Sequence, residues 1–364
     1  MEQKTIILTR KIQLLIDCDD MEQRKAYYQQ INDWQWNSFL AANIVMTNLY
    51  LQDRVKDIIY FTEEIKVKLA DYTKDEAGIL NTSRMNTTYR TLSSHFLGKI
   101  PSAIFSAINN QLASVYGTER SAYWKGEKSL RNYRRNIPMP FVGSLLKLTN
   151  DSIGRDYRFK LFQIPFKTYL GKDRSDKKVL LQRALVGNIK VCTSALQLDK
   201  GKLYLLIAFE MEKEDHPLKD YVIAEVSLAI EHPLVVSFGK ENFQIGNKEE
   251  FLYRRLAIQA ARHRIQRGST YNRSGKGRKR KLCSLEDYNK KEKNYVDSRL
   301  HLYSRRLIDL CIKNQAGTLL LVNQSQKEEI AKEDGFLLRN WSYYGLKDKI
   351  KYKAAKAGIM IIEE

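Results

Sequence analysis

The chain has 364 residues, 43% of them apolar, and a formal net charge of +20. That length accommodates two or three domains with cores of their own, and the apolar share excludes a disordered polymer. The excess of positive charge points to a polyanionic partner, while no apolar run approaches the ~20 residues that cross a bilayer.

In chain order, "TIILTRKIQLLI" over 5–16 is rich in β-branched residues and predicts a strand. The start of the chain lacks the basic, apolar, small-residue layout of a signal peptide, so a cytoplasmic location is expected. From Met21 the period becomes helical, with Ile31, Trp34, Leu40, Ile44 and Leu49 recurring every three to six residues. "IPSAIFSAINNQLASVYG" predicts a second helix, with Pro101 in its first turn and Gly117 closing it. "KGEKSLRNYRRNIPMP" then brings Arg131, Arg134 and Arg135 beside Tyr133, and such interleaved basic and aromatic residues can hold phosphates and stack bases. A solvated helix end explains the same stretch equally well.

Over 140–210, "DYRFKLFQIPFKTYL", "RALVGNIKVCTSALQL" and "KLYLLIAFEME" all read as strands. A leading strand, then helices, then more strands suggests a β-barrel interrupted by a helical insertion. From 221 onward "YVIAEVSLAI", "PLVVSF", "AGTLLLVNQ" and "IMIIEE" alternate with helical segments, which indicates an α/β domain with a largely buried sheet.

Charge is concentrated in this last third. Between Arg254 and Arg306 there are seventeen Lys/Arg against four Asp/Glu, an imbalance that argues for phosphate contact. The stretch has no broad apolar face to lie on a membrane. The four cysteines, Cys18, Cys192, Cys283 and Cys311, are scattered and form no C-x-x-C pair, so reduced, mostly buried thiols are expected and no zinc site.

Three segments carry a likeness: "IEHPLVVS", "GTLLLVNQS" and "FLLRNWSYYGLKDKIKYKAAKAGI", in that order with Arg-rich helices between the first two. The chain resembles the miniature type V-F CRISPR effectors and their TnpB relatives. The resemblance implies a multidomain α+β and α/β architecture. A wedge-type β-barrel would take 1–20 and 139–219, with a helical recognition insertion over 21–138. A RuvC-like (RNase H-like) α/β domain would follow over 220–364, lacking the C-terminal zinc ribbon.

By that likeness the family's catalytic aspartate falls on Ser227 and its glutamate on Asn323, both neutral, and the third carboxylate would lie past Glu364. A two-metal nuclease site needs several converging carboxylates. Glu225 could share a face with Ser227, because side chains alternate along a strand, but one carboxylate does not make such a site. Glu231, Glu363 and Glu364 read as solvated. The expectation is therefore a protein that is not an enzyme, with no metal and no cofactor.

The resemblance implies guide RNA and a double-stranded DNA target as partners. They would be held by Arg254, Arg255, Arg262, His263, Arg264 and Arg267 on a helix, and by Arg273, Lys276, Arg278, Lys279, Arg280 and Lys281 on the flexible loop "NRSGKGRKRK". In such systems base pairing reads sequence while protein reads shape. The implied role is transcription regulation at guide-specified sites, through recruitment of an extracytoplasmic-function sigma factor and RNA polymerase. The alternatives are a promoter-blocking repressor and a guide-independent nucleic-acid-binding protein; an enzyme completed by a partner's carboxylates ranks last. Self-association into a homodimer would use the aromatic-rich surface of 21–130.

Overall fold

A computed structural model describes residues 5–59, 84–150, 156–171, 175–227, 232–271, 275–322 and 343–364. They divide into two compact units, one of Ile7–Met211 and one of Glu212–Glu364 with the residues before Ile7.

The first unit begins with β1 (Thr5–Ile16), whose alternation turns Leu8, Ile12, Leu14 and Ile16 inward. Three helices follow: α1 (Met21–Ile59), α2 (Arg84–Phe96) and α3 (Ser102–Trp124). The inward stripe of α1 is Ile31, Trp34, Ala41, Ala42, Val45, Met46 and Leu49. Leu40 and Ile44, expected in that stripe, are only partly buried; with Ala at 41 and 42 the face nearest the core is the small-residue one. Pro101 precedes α3 instead of sitting in its first turn, and Gly117 lies inside the helix. The helix runs past Gly117 because Tyr116 and Tyr123 are both buried on one side of it. Tyr116 also donates 2.7 Å to the buried carboxylate of Asp53, which pairs with Arg120 at 2.8 Å.

The remaining elements of this unit are β2 (Met139–Phe141), a 3-10 turn at Gly143–Leu145, β3 (Thr149–Asn150), β4 (Tyr157–Leu161), β5 (Ile164–Tyr169), α4 (Lys177–Leu185), β6 (Lys190–Val191), β7 (Ser194–Asp199) and β8 (Lys202–Glu212). The "RALV" stretch, expected as strand, closes α4, with Leu180 and Leu181 of that helix buried. β4 and β5 form a hairpin through Phe162 and Gln163 at φ 50° and 69°. Non-glycine residues seldom adopt this conformation; packing holds it here, for Phe162 meets Trp34 and Phe141 edge-on at 5.8 and 6.3 Å.

The sheet order is β2-β7-β8-β1-β5-β4-β3, with β6 beside β8. This path is open, so among the described residues the expected β-barrel is an unclosed sheet. The end strand β2 has three residues, all buried, with Met139 and Phe141 in the cluster shared with the helices.

The second unit is built on a five-stranded sheet in the order β11-β10-β9-β12-β13. Strands β9 (Lys219–Ser227), β10 (Leu234–Phe238) and β11 (Glu241–Ile245) run antiparallel, and β12 (Ala316–Leu321) lies parallel to β9 and to β13 (Met360–Glu363). Helices α5 (Lys248–Thr270) and α6 (Gly275–Lys313) connect β11 to β12, and α7 (Tyr343–Ala357) precedes β13. Ala224, Val226, Leu234, Val236, Leu319 and Leu321 form one core with Leu300, Tyr303, Leu307, Leu346 and Ile350 of α6 and α7. The sheet is not largely buried as expected: Tyr221 is 78% exposed, and Ile223, Met360 and Ile362 are exposed too. β9 therefore alternates like a half-covered strand. Glycine is required at 246, where φ is +82° and a Cβ would stand 2.8 Å from Pro233 and Tyr303.

Of the thiols, Cys311 alone is buried, Cys283 is exposed, and Cys18 and Cys192 are intermediate. The expectation of mostly buried thiols thus holds for one of four. Among the described residues no helix is long and apolar enough to cross a membrane.

Candidate nucleic-acid interface

The Arg-rich segment folds into a helical hairpin. Asn247 caps α5 by accepting from the Glu249 amide at 2.8 Å, and Glu249 and Glu250 occupy the first turn, where the helix dipole favours them. Phe251 and Leu252 root the helix in the core, and they are the buried residues of α5. Beyond them α5 packs on α6.

The seam between the two helices is polar. Glu292 of α6 is buried and accepts from Arg255 Nε at 3.1 Å, Gln259 Nε2 at 3.1 Å and Arg262 Nη1 at 2.5 Å. Burial raises the Glu292 carboxyl, and the hydrogen bonds from Gln259, Arg255 and Arg262 outweigh it, so the group stays below the ordinary carboxylate range. Nearer the root, Tyr295 stacks on Phe251 at 6.2 Å and donates to the Glu250 carbonyl at 3.0 Å, with the guanidinium groups of Arg254 and Arg299 over its ring at 5.4 and 5.5 Å. At the far end Lys281 Nζ donates to the Gly268 carbonyl at 2.7 Å.

The expected site residues therefore fall into two groups. Arg255 and Arg262 face inward and hold Glu292, which sequence reading missed because the two sides of the pair lie thirty and more positions apart. His263, Arg264, Arg267, Lys276, Lys279 and Arg280 point away from that seam, and all six are exposed. The described part of the expected flexible loop "NRSGKGRKRK" is helical: α6 begins at Gly275, so Lys276 to Lys281 sit on its first turns. Arg273 and the side chain of Arg278 lie outside the described residues. No residue of α6 before Glu292 is buried among those described. At 1.5 Å per residue, this half of the helix presents about 24 Å of strongly basic outer face beside its seam with α5. Lys293 and Arg306 of α6 are exposed cations as well.

The first unit has its own basic segment. Arg131 is not available as expected: it forks onto Glu119 at 2.6 and 2.5 Å. Lys128 and the Tyr123 hydroxyl donate to the same carboxylate. Arg131 foremost, then Lys128 and Tyr123, hold Glu119 far below the usual carboxylate range. The Tyr123 phenol is pushed up to about 12 by burial and by Glu119. Arg134 and Arg135 are exposed.

Ser227 ends β9, opposite Val235 of β10. Glu225, two residues earlier and exposed, lies on the same face of the sheet. Asn323 and Glu231 lie outside the described residues. Glu363 is exposed, as expected, and Lys347 and Lys351 of α7 hold it there at 2.8 and 2.5 Å and keep its carboxyl low. Among the described residues no group of three or more His, Cys, Asp or Glu could hold a metal ion.

No family model matches the chain. It is 24% identical over 323 residues to a protein of Sulfoacidibacillus thermotolerans named CRISPR-associated endodeoxyribonuclease Cas12f1, covering 83% of this chain and 75% of that one. A protein of the same name from Syntrophomonas palmitatica is 25% identical over 289 residues, covering 72% and 57%. The chain thus spans three quarters of one curated relative and little more than half of the other. Its fold matches a chain of the Cas12f1–sgRNA–target DNA complex with a TM-score of 0.69 at 15% identity, covering 99% of this chain and 89% of that one. These findings correct the expectation of a protein that is not an enzyme, because both relatives are named as endodeoxyribonucleases. The loss of catalytic carboxylates rested on an inferred register through Ser227 and Asn323, and the second of these lies outside the described residues.

Proposed function

We propose that this chain, a relative of the type V-F miniature CRISPR effectors, is an RNA-guided DNA-binding effector. The observation that carries this reading is the row of outward cations on the α5–α6 hairpin, Arg264, Arg267, Lys276, Lys279 and Arg280. Such a row meets phosphates and releases counterions whatever the base sequence, and a guide then supplies sequence by pairing. The inward pair Arg255 and Arg262 supports the hairpin instead of the ligand. In this reading residues 1–20 and 139–219 serve as the wedge, 21–138 as the recognition part and 220–364 as a RuvC-like domain. Held at a promoter, the complex would regulate transcription there. Neither comparison speaks for a sigma factor or RNA polymerase as partner, and the position of the guide match relative to the start site distinguishes recruitment from blockade.

The test is to purify the protein from cells carrying its native locus and sequence the RNA that accompanies it. One dominant small RNA with a constant scaffold and a variable end is the expected result, and a broad mixture of cellular RNAs would overturn the proposal. The complex is then offered duplex DNA matching the variable end, in EDTA to read binding alone and in Mg²⁺ to read cleavage.

A further inference from the structure

The irregular stretch 131–138 lies on the surface yet is fixed from below by side-chain amides. Asn43 of α1 both accepts from the Tyr133 amide at 2.9 Å and donates to its carbonyl at 3.3 Å. Gln35 of α1, 6% exposed, donates to the carbonyls of Arg135 at 3.4 Å and Leu198 at 2.9 Å and accepts from the Leu198 amide at 2.6 Å. Gln197 of β7 donates to the Asn136 carbonyl at 2.8 Å. A segment without regular secondary structure is thus tied down at Tyr133, Arg135 and Asn136, and the ordering cost of a ligand contact there is already met by folding.

What the tied segment presents is specific. Tyr133 turns inward and packs against the core, and Arg131 is taken by Glu119. Arg135 stands with its guanidinium 4.7 Å above the ring of Trp36, which is 41% exposed and backed by Phe39 at 5.4 Å. Arg134, next to it, is exposed. Neither arginine has a carboxylate partner among the described residues. An exposed tryptophan carrying a flat cation leaves the outer guanidinium plane open for another flat, electron-rich ring. Arginine planes and aromatic faces stack bases in just this manner.

We propose that the Trp36–Arg135 stack is a seat for one unpaired nucleobase, with Arg134 taking the phosphate beside it. The inference rests on the nucleic-acid-binding reading above but uses residues of the other unit. The shared chemistry is a base free of its pairing partner, whether from RNA or from opened DNA.

The experiment measures binding of the full chain to a 12-nucleotide single-stranded RNA, the matching single-stranded DNA and a blunt duplex. Variants are Arg135→Lys, which keeps charge and loses the plane, Trp36→Ala, and Lys279→Gln with Arg280→Gln on the hairpin as a separate control. Both platform variants are expected to weaken binding to the strands about tenfold, the scale of one base on an aromatic seat, and to leave duplex binding unchanged. The strand that suffers more, RNA or DNA, identifies the source of the base. A strand abasic at every position should remove the difference between wild type and Arg135→Lys. Equal loss on blunt duplex, or no loss on any strand while the hairpin control weakens all three, would overturn the seat and leave the functional reading standing. Failure of the wild-type chain to bind any of the probes would overturn both.

Discussion

Arg262 of α5 places its Nη1 2.5 Å from the Oε2 of Glu292 on α6, thirty residues further along the chain. With Arg255 on the other oxygen, this carboxylate closes a helix pair whose outer surfaces carry a large excess of positive charge. Like charges on two adjacent helices push them apart, and a buried anion shared by both is the local answer to that repulsion.

Replacing the anion should loosen the hairpin. Glu292→Gln leaves two guanidinium groups facing a neutral amide, and the loss of charge-assisted hydrogen bonds is expected to cost about 2 kcal/mol. Hydrogen exchange should rise in α5 and the first half of α6, with the sheet unaffected. Unchanged protection in the hairpin would show that the staple does not hold it.

The same group sets a pH dependence. Its carboxyl is depressed in the folded state, so its contribution is present above the unfolded carboxylate pKa and is lost as pH falls through the lower folded value. The thermal stability of the second unit should therefore fall below about pH 4, and Glu292→Gln should flatten the part of that profile that belongs to the hairpin.

Binding should separate the outward cations from the inward ones. Changing Lys276, Lys279 and Arg280 to Gln is expected to reduce the slope of log K against log salt by about 0.9 for each phosphate left without its cation, with no change in melting temperature. Arg255→Gln should do the reverse, lowering stability first.

Two glycines predict opposite outcomes. Gly117→Ala adds a methyl that meets nothing within 4 Å in the middle of α3, and should stabilise the first unit by about 1 kcal/mol. Gly246→Ala puts a Cβ 2.8 Å from Tyr303 at a positive φ and should destabilise the second unit by about 3 kcal/mol. Denaturant titration of each variant reads both.

Thiol labelling of the native chain gives a further check. Cys311 is buried, and burial pushes its thiol up to about 12, so it should react with a maleimide only after unfolding. Exposed Cys283 should react at once.

How much of the fold is readable in the string depends on the range of the interactions involved. Periodicity along the chain placed β1, α1, β10, β12 and β13, because each is an alternation or a helical repeat over neighbouring residues. The basic concentration of 254–306 and the order of the three quoted segments are likewise properties of the string itself, and they led to the family. Sequence alone did not show that α4 would absorb "RALV", that Gly117 would be carried inside a helix by Tyr116 and Tyr123, or that the first sheet would remain open.

The division of the arginines was decided by tertiary structure. Arg131, Arg255 and Arg262 look like Arg134, Arg264 and Arg267 in sequence, each a cation in a basic stretch. What separates them is a carboxylate brought from elsewhere by folding, Glu119 for the first and Glu292 for the other two. Trp36 and Arg135, ninety-nine positions apart, meet for the same reason. Local pattern determines which elements form, whereas the partner of a side chain is set by packing between distant segments, and the amino-acid order does not state it.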